Sequence, residues 1–359
     1  MFVLINIYFQ NKMNEELIEA CKAGDINKVL QLVEEGADVH ADDDTALCSA
    51  SLNGHIEVVK FLIEKGADVH AQNESSLRSA SLDGHIEIVK LLIEKGADVH
   101  ANHDTAIRWS SENGHLDVVK LLIEKGADIH AQNDNALRYA SHRGHLEVVK
   151  FLIEKGADNN SALHSASSGG HLEVVKLLLE KGVDVHANND LALRQASLYG
   201  HSEIVKFLLD KGVDVHANND DALHLASQYG HSEIVKFLIE KGADVHADDD
   251  YALRFASLNG HLDIVKFLID KGANVSVLSL GEKLKLNIPV IWSIKPDNLP
   301  SFRDLTECPI TKIEFTDSIS KLGCSCCLNI FEKSALEDWL KTGNYTCPMC
   351  RTGKKFYLV

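Results

Sequence analysis

GHIEVVKFLIEKGADVH, residues 54–70, recurs as GHIEIVKLLIEKGADVH at 84–100 and as GHLDVVKLLIEKGADIH at 114–130, and this repetition decides the fold. The phrase returns from Gly144, Gly170, Gly200, Gly230 and Gly260. A diverged first copy, GDINKVLQLVEEGADVH, starts at Gly24 and makes nine. The copies lie 30 residues apart, except for 26 between Gly144 and Gly170. A period of this length marks a repeat architecture, in which each unit buries its apolar surface against its neighbours.

Each unit reads as two short helices and a turn. The first is the ALRxAS stretch, such as Ala136 to Ser141, with an Asp, Asn, Ser or Thr nearby expected to cap its start. It stops at the glycine of the GH pair, where a tight reversal needs a residue without Cβ. The second helix is HLEVVKFLIEK, closed by a glycine such as Gly156. Its apolar positions, for example Leu146, Val148, Val149, Phe151, Leu152 and Ile153, span too wide an arc for one contact face. Such a helix is expected to pack between a preceding and a following copy.

Composition narrows the function. The 359 residues are 45% hydrophobic and 25% charged, the balance of a folded chain and not a disordered one. The net charge is −17 and its distribution is uneven: 29 basic face 47 acidic residues up to residue 304, and 7 face 6 after it. A surface this acidic repels a phosphate backbone, so no nucleic acid is expected on the large part. No apolar run reaches the length of a membrane span, so no membrane is expected either. The opening MFVLINIYFQ lacks a basic start and a cleavage site, and residues 1–13 read as an N-terminal extension preceding the array. Nothing directs export, so reduced thiols and an intracellular, cytoplasmic or nuclear, setting are expected. No phosphate loop, HExxH or nucleophile elbow is present.

The repeated pattern resembles the ankyrin repeat over Asn14 to about Val275, residues 14–275 forming the array. The resemblance implies an all-α ankyrin-repeat solenoid of nine helix pairs with short hairpin tips, bearing a protein partner. The units are three residues shorter than the usual 33, so the tips are expected to be stubby. The proline that opens the first helix in the family is Ala here, as at Ala46, Ala106 and Ala136, or Ser76. The GADVH bias and the lack of proline resemble ankyrin arrays of large DNA viruses of amoebae, which would place the protein in a host cell.

Fifteen of the 19 histidines belong to the repeat, eight after the turn glycine and seven closing GADVH. Their spacing keeps them from converging on one ion. Arg78, Arg108, Arg138, Arg194 and Arg254 form a row expected to stack between repeats and to pair partly with Asp. In ankyrin arrays the ligand face uses the tips and the two residues before the GH turn. Carried over, this points to Leu198, Tyr199, Tyr229 and Leu258 as partner-binding residues, or else as residues packed on the next repeat. The tips are acidic (Asp42, Asp43, Asp44; Asp220, Asp221; Asp248, Asp249, Asp250), so a basic partner segment is expected.

Beyond the array the composition changes. Residues 276–304 include Ile288, Val290, Ile291, Trp292 and Ile294, too apolar for a flexible tether, and read as a linker that caps the last repeat. Six of the eight cysteines lie between Cys308 and Cys350. Cys347 and Cys350 form a Cys-x-x-Cys knuckle, and Cys324, Cys326 and Cys327 crowd within four residues. Four thiolates from two such loops match one structural Zn²⁺. Between them SALEDWLK reads as a short helix with a capping box from Ser334 to Glu337. A module this small gains from a metal staple.

Residues 305–359 resemble a RING finger or U-box, a small α+β zinc domain that recruits a ubiquitin-conjugating enzyme. The shared order is CPI, LGC, Phe331, Leu336, Trp339–Leu340 and CPMCR. The resemblance implies one zinc on Cys324, Cys326, Cys347 and Cys350, with Cys327 as the alternative to Cys326. The other RING site is broken, because Thr311, Glu332 and Ala335 accompany Cys308. It further implies contact with the conjugating enzyme through Ile310, Trp339, Pro348 and Arg351, Arg351 standing where a basic residue touches both enzyme and ubiquitin. No covalent nucleophile is involved. The expected function is a ubiquitin ligase; a non-catalytic scaffold and a SUMO ligase of SP-RING type are the alternatives.

Overall fold

The computed structural model describes residues 2–159 and 161–279, together with three short strands in the C-terminal segment. Among them eighteen helices form nine consecutive pairs: α1 (Phe2–Ala23) with α2 (Ile26–Glu34), α3 (Ala41–Leu52) with α4 (Ile56–Glu64), and α5 (Ala71–Leu82) with α6 (Ile86–Glu94). Next come α7 (Ala101–Glu112) and α8 (Leu116–Glu124), α9 (Ala131–Arg143) and α10 (Leu146–Glu154), and α11 (Ala162–Gly169) and α12 (Leu172–Glu180). The last pairs are α13 (Ala187–Tyr199) and α14 (Ser202–Asp210), α15 (Ala217–Tyr229) and α16 (Ser232–Glu240), and α17 (Ala247–Leu258) and α18 (Leu262–Asp270).

The chain divides into two compact units, Met1–Ala226 with Glu240–Ala243 and Ser227–Ile239 with Asp244–Val359. In the first, each odd-numbered helix from α1 to α11 packs on the next odd-numbered one, and each from α1 to α13 packs on its own partner. The core is built from the same positions in every repeat. Leu47, Val58, Val59 and Leu62 are all but fully buried, as are Leu77, Ile88, Val89 and Leu92 one repeat later. Burying each such side chain is worth about 1.5–3 kcal/mol. The buried face of the second helix is narrower than its apolar arc: in α10 only Val148, Val149 and Leu152 are buried, and Leu146 is exposed. Phe151 is half-buried and lies under the Lys120 and Lys155 ammonium groups.

The turn after each first helix closes on glycine for two reasons. Gly54 has φ +79°, and a Cβ there would lie 2.6 Å from the His85 ring of the next repeat. That ring donates from Nε2 to the Leu52 carbonyl at 2.9 Å, and His115 does the same to Leu82. The carbonyl can only accept, so these Nε2 atoms carry the proton. The histidines that follow the turn glycines, among them His55, His85, His115, His145, His201 and His261, are thus inter-repeat struts.

Seven first helices are broken near their start. In α9 the residues Gln132, Asn133 and Asp134 have φ of 52–58°, so the right-handed ALRYAS stretch begins only after them, and His130 before the break makes no side-chain capping bond. Left-handed residues other than glycine are disfavoured by about 1–2 kcal/mol each, and Asn and Asp tolerate the region best, which accounts for the NND, DDD and QND sequences here. The carbonyls turned aside are met locally: Thr105 Oγ1 donates to Asn102 O, and Arg78 donates to Asn73 O and Gln72 O.

Two irregularities interrupt the pattern. The four-residue deletion before Gly170 leaves α11 eight residues long, without the left-handed triplet. At the N-terminus, residues 2–13 are helical and run without a break into the first helix of the array. Gln10 donates to Gly36 O at 2.9 Å, and Asn14 Oδ1 accepts from Asp38 N.

In the second unit α17 packs on α18 and on a 3-10 turn, Val275–Val277. Leu278 is buried there. The rest of the expected cap lies outside the described residues. The C-terminal segment contains β1 (Lys321–Cys324), β2 (Ile330–Glu332) and β3 (Phe356–Leu358), an antiparallel sheet in the order β2-β1-β3. Leu322 pairs with Phe331 on one side and Leu358 on the other.

Candidate protein-binding surface

Three rows of side chains recur from repeat to repeat, and each has a different chemistry. The first lies at the tips. His40, His70, His100, His130, His186, His216 and His246 each place Nδ1 2.8–3.2 Å from a carboxylate four residues on. These carboxylate side chains are only 6–11% exposed, whereas the histidines are 53–57% exposed. Several carboxylates hold the next repeat as well. Asp44 accepts from Asp68 N, Asp104 from Asp128 N, Asp134 from Asp158 N and Asp250 from Asn274 N, all at 2.8–2.9 Å.

The acidic tips are therefore less available than their sequence implies. Asp44, Asp220 and Asp250 are buried and bonded to histidine, and Asp221 pairs with Arg194 at 3.0 Å. Asp42, Asp43, Asp248 and Asp249 remain exposed.

The arginine row stacks between repeats but pairs little with acid. The Arg78 guanidinium lies 5.6 Å from the Trp109 ring, Arg108 donates to Gln132 Oε1, and Arg138 donates to Asn135 Oδ1 within its own repeat. Arg194 makes the one ion pair found in this row among the described residues. Arg254 is exposed. The polar partners account for the difference: Arg108 and Arg138 meet the amides of Gln132 and Asn135, Arg78 meets the Asn73 and Gln72 carbonyls, and the third acid of each triplet is bonded to histidine instead.

The third row runs along the helix ends before the GH turn. Several members are tied down, as Arg143 pairs with Glu112 at 2.9 Å and His142 Nδ1 lies 3.1 Å from Ser168 Oγ. Others are open: Tyr199 is 56% exposed, Tyr229 53% and Leu258 72%, while Leu198 is half-buried. The Tyr199 ring stacks on His201 at 6.4 Å between centroids. In the second unit His261 donates to Gln228 O, beside Tyr229, and Leu262 next to it is 50% exposed. Leu262 was missed by sequence reasoning, though the signal exists, since Ser202 and Ser232 hold that position in the two preceding repeats. Exposed acids follow in the same turns, among them Glu203 and Asp263. Ser232 hydrogen-bonds Asp263, and that bond holds the Asp263 carboxyl below its ordinary range.

Other titratable groups serve packing. Burial pushes the Cys21 thiol up to about 12, so it is inert at neutral pH. Burial, with Arg138 nearby, lowers His164, and burial lowers His171. No described helix is long and apolar enough to cross a membrane. Among the described residues no three potential ligands form a metal group.

Of the C-terminal candidates, Cys324 ends β1, where its backbone pairs with Phe356. Cys326, Cys327, Cys347, Cys350, Ile310, Trp339, Pro348 and Arg351 lie outside the described residues, as does the helix expected over SALEDWLK.

A family model for ankyrin repeats in three copies matches residues 17–103, 77–162, 157–219 and 193–279, together well over half of the chain. The chain belongs to the ankyrin-repeat family. Comparison with curated proteins returns no match. Ankyrin arrays mediate protein–protein interaction, and the open aromatic and aliphatic side chains at the helix ends are of the kind that anchor such contacts.

Proposed function

We propose that the ankyrin array captures a protein partner through its helix-end row and that residues 305–359 act as a one-zinc RING/U-box-like module, making the chain a ubiquitin ligase. The observation that carries the binding half is the exposure of Tyr229, Leu258 and Leu262 on short helices whose other faces are buried. Such side chains lose little entropy on binding, because their backbone is already ordered. The exposed acids beside them favour a partner segment that is apolar and basic.

The ligase half is supported by the cysteine spacing and by the strands that flank it. Zinc would be held by Cys324, Cys326, Cys347 and Cys350, with Cys327 in reserve, and would serve as a structural staple. Ile310, Trp339 and Pro348 would supply an apolar seat for a conjugating enzyme. Arg351, with its planar fork of donors, would hold enzyme and ubiquitin in the closed arrangement that a substrate lysine attacks. The GADVH bias supports a viral origin and action inside a host cell. The loss of three ligands of the other RING site favours a second reading, a scaffold whose zinc fold is purely structural.

Lysine discharge from a panel of ubiquitin- and SUMO-charged conjugating enzymes tests the proposal. Ubiquitin discharge that is lost in Arg351→Ala supports the ligase. Discharge of SUMO alone assigns the chain to the SP-RING type, and no discharge by any enzyme leaves the scaffold.

A further inference from the structure

The array is acidic as a whole, yet three consecutive repeats form an exception on their first helices. Arg78 on α5, Arg108 on α7 and Arg138 on α9 hold the same repeat position, and these helices pack on one another in that order. None of the three pairs with a carboxylate among the described residues. Arg78 donates to Asn73 O and Gln72 O, Arg108 to Gln132 Oε1 and Thr105 Oγ1, and Arg138 to Asn135 Oδ1 alone. The Nε atoms of Arg108 and Arg138 are buried without an acceptor. A guanidinium cannot shed its proton, so three half-buried cations stand here without a direct counter-charge. Their surroundings supply none. The exposed residues of these tips, Gln72, Asn73, Asn102, His103, Gln132 and Asn133, carry no negative charge, whereas α3 and α17 expose aspartates at the same places. Glu74, Asp104 and Asp134 are buried and bonded to histidine. Glu112 is held by Arg143, and Asp83 stands more than a helical turn beyond Arg78. Two rings lie beside the cations, Trp109 at 5.6 Å from Arg78 and Tyr139 at 6.0 Å from Arg138.

We propose that Arg78, Arg108 and Arg138, with the Trp109 and Tyr139 rings beside them, form a docking stripe for an acidic peptide segment lying across the three repeats. Charge complementarity names the occupant, because the planar guanidinium fork matches a carboxylate. The rings offer apolar faces to the methylene stems of the same acidic side chains. Geometry adds a spacing. Helices packed side by side lie about 8–10 Å apart. A polyproline-II segment has about three residues per turn and rises about 3.1 Å per residue, so every third side chain shares one face at about 9 Å intervals. Acids on every third residue of such a segment meet successive arginines. A nucleic acid strand carries charge on every nucleotide and is repelled by the −17 of the whole chain, which leaves a short acidic peptide as the better match. The stripe lies on other repeats than Tyr229, Leu258 and Leu262 and prefers the opposite charge, so it does not rest on the ligase reading.

The test uses the full chain and labelled synthetic peptides, read by fluorescence anisotropy at about 0.15 M salt, where long-range fields are screened. A peptide of repeated Glu-Pro-Ser triplets is expected to bind. Its Gln-Pro-Ser analogue should not, and a peptide of the same composition with its glutamates clustered should bind more weakly than the spaced one. Arg108→Gln should weaken the spaced peptide about tenfold or more, the effect of losing a hydrogen bond to a charged group. Lys120→Gln makes the same change in charge on α8 of that repeat and should leave binding unchanged. No binding of the spaced peptide, equal binding of the Gln analogue, or an equal effect of the two substitutions overturns the stripe. Tighter binding of an oligothymidine than of the spaced peptide also overturns it and assigns the arginines to nucleic acid. Should Arg108→Gln lose its helical signal, the unaltered chain decides: the order spaced, clustered, Gln analogue supports the proposal, and any other order overturns it.

Discussion

Gly54 shows how much a single residue carries in this protein. Its left-handed backbone and the His85 ring 2.6 Å from where a Cβ would sit are separate constraints, and alanine meets neither. Gly54→Ala is expected to cost at least about 1–2 kcal/mol from the backbone alone. The displaced His85 ring would add the loss of its bond to Leu52 O. The urea midpoint should fall accordingly, and Gly36→Ala, with φ +102° but open space around it, gives the comparison in which the ring is untouched. An equal loss in both would remove the close approach from the explanation. The glycine's role was legible in the sequence as a tight reversal. The ring behind it was not, because it belongs to a residue 31 positions away that only stacking brings close.

At the scale of the element, the start of each first helix turns on one carboxylate. Asp104 accepts from His100 Nδ1 at 3.0 Å and from Asp128 N at 2.8 Å. Removing it leaves the Asp128 N–H without its charged acceptor, and a hydrogen bond to a charged group is worth about 1.5–3 kcal/mol. Asp43, one residue earlier in its own triplet, has the same left-handed backbone at φ 58° but is exposed. Asp104→Ala is therefore expected to destabilise the array by about 1.5–3 kcal/mol more than Asp43→Ala does, as read from paired denaturant curves. Matching losses would place the cost in the backbone and not in the carboxylate. In the sequence both residues look like acidic tip residues. Their difference arises because three consecutive left-handed residues rotate the third side chain inward, and no composition signal reports that rotation.

At the scale of the whole molecule, the array and the cysteine-rich segment should respond to different agents. The array is held by apolar burial and by struts such as His85 to Leu52, neither of which needs a metal. The C-terminal segment, with its proposed single zinc, would depend on metal for about 10–16 kcal/mol of apparent folding energy. Chelation of the full chain should leave the helical circular dichroism largely intact while releasing one zinc per chain, counted by native mass spectrometry. Two zincs would refute the ligand assignment, and a collapse of the helical signal would refute the separation of the two parts.

The repeat and its helix pairs were determined by the sequence alone, because a near-constant 30-residue period returns the same apolar residues nine times over. The break before Gly170 was legible for the same reason: a deletion in a regular pattern has nowhere to hide. Which of the apolar residues reach the core was not: in α10 Val148, Val149 and Leu152 are buried and Leu146 is exposed. What only the tertiary structure decided is which polar residues are spent on holding neighbours together. Asp44 and Asp43 are adjacent and chemically identical, as Arg194 and Arg254 are equivalent by repeat, yet one of each is committed and the other is exposed. Periodicity specifies where a residue stands within its repeat. Burial and hydrogen bonding depend on the atoms the next repeat brings against it, and those are set by packing.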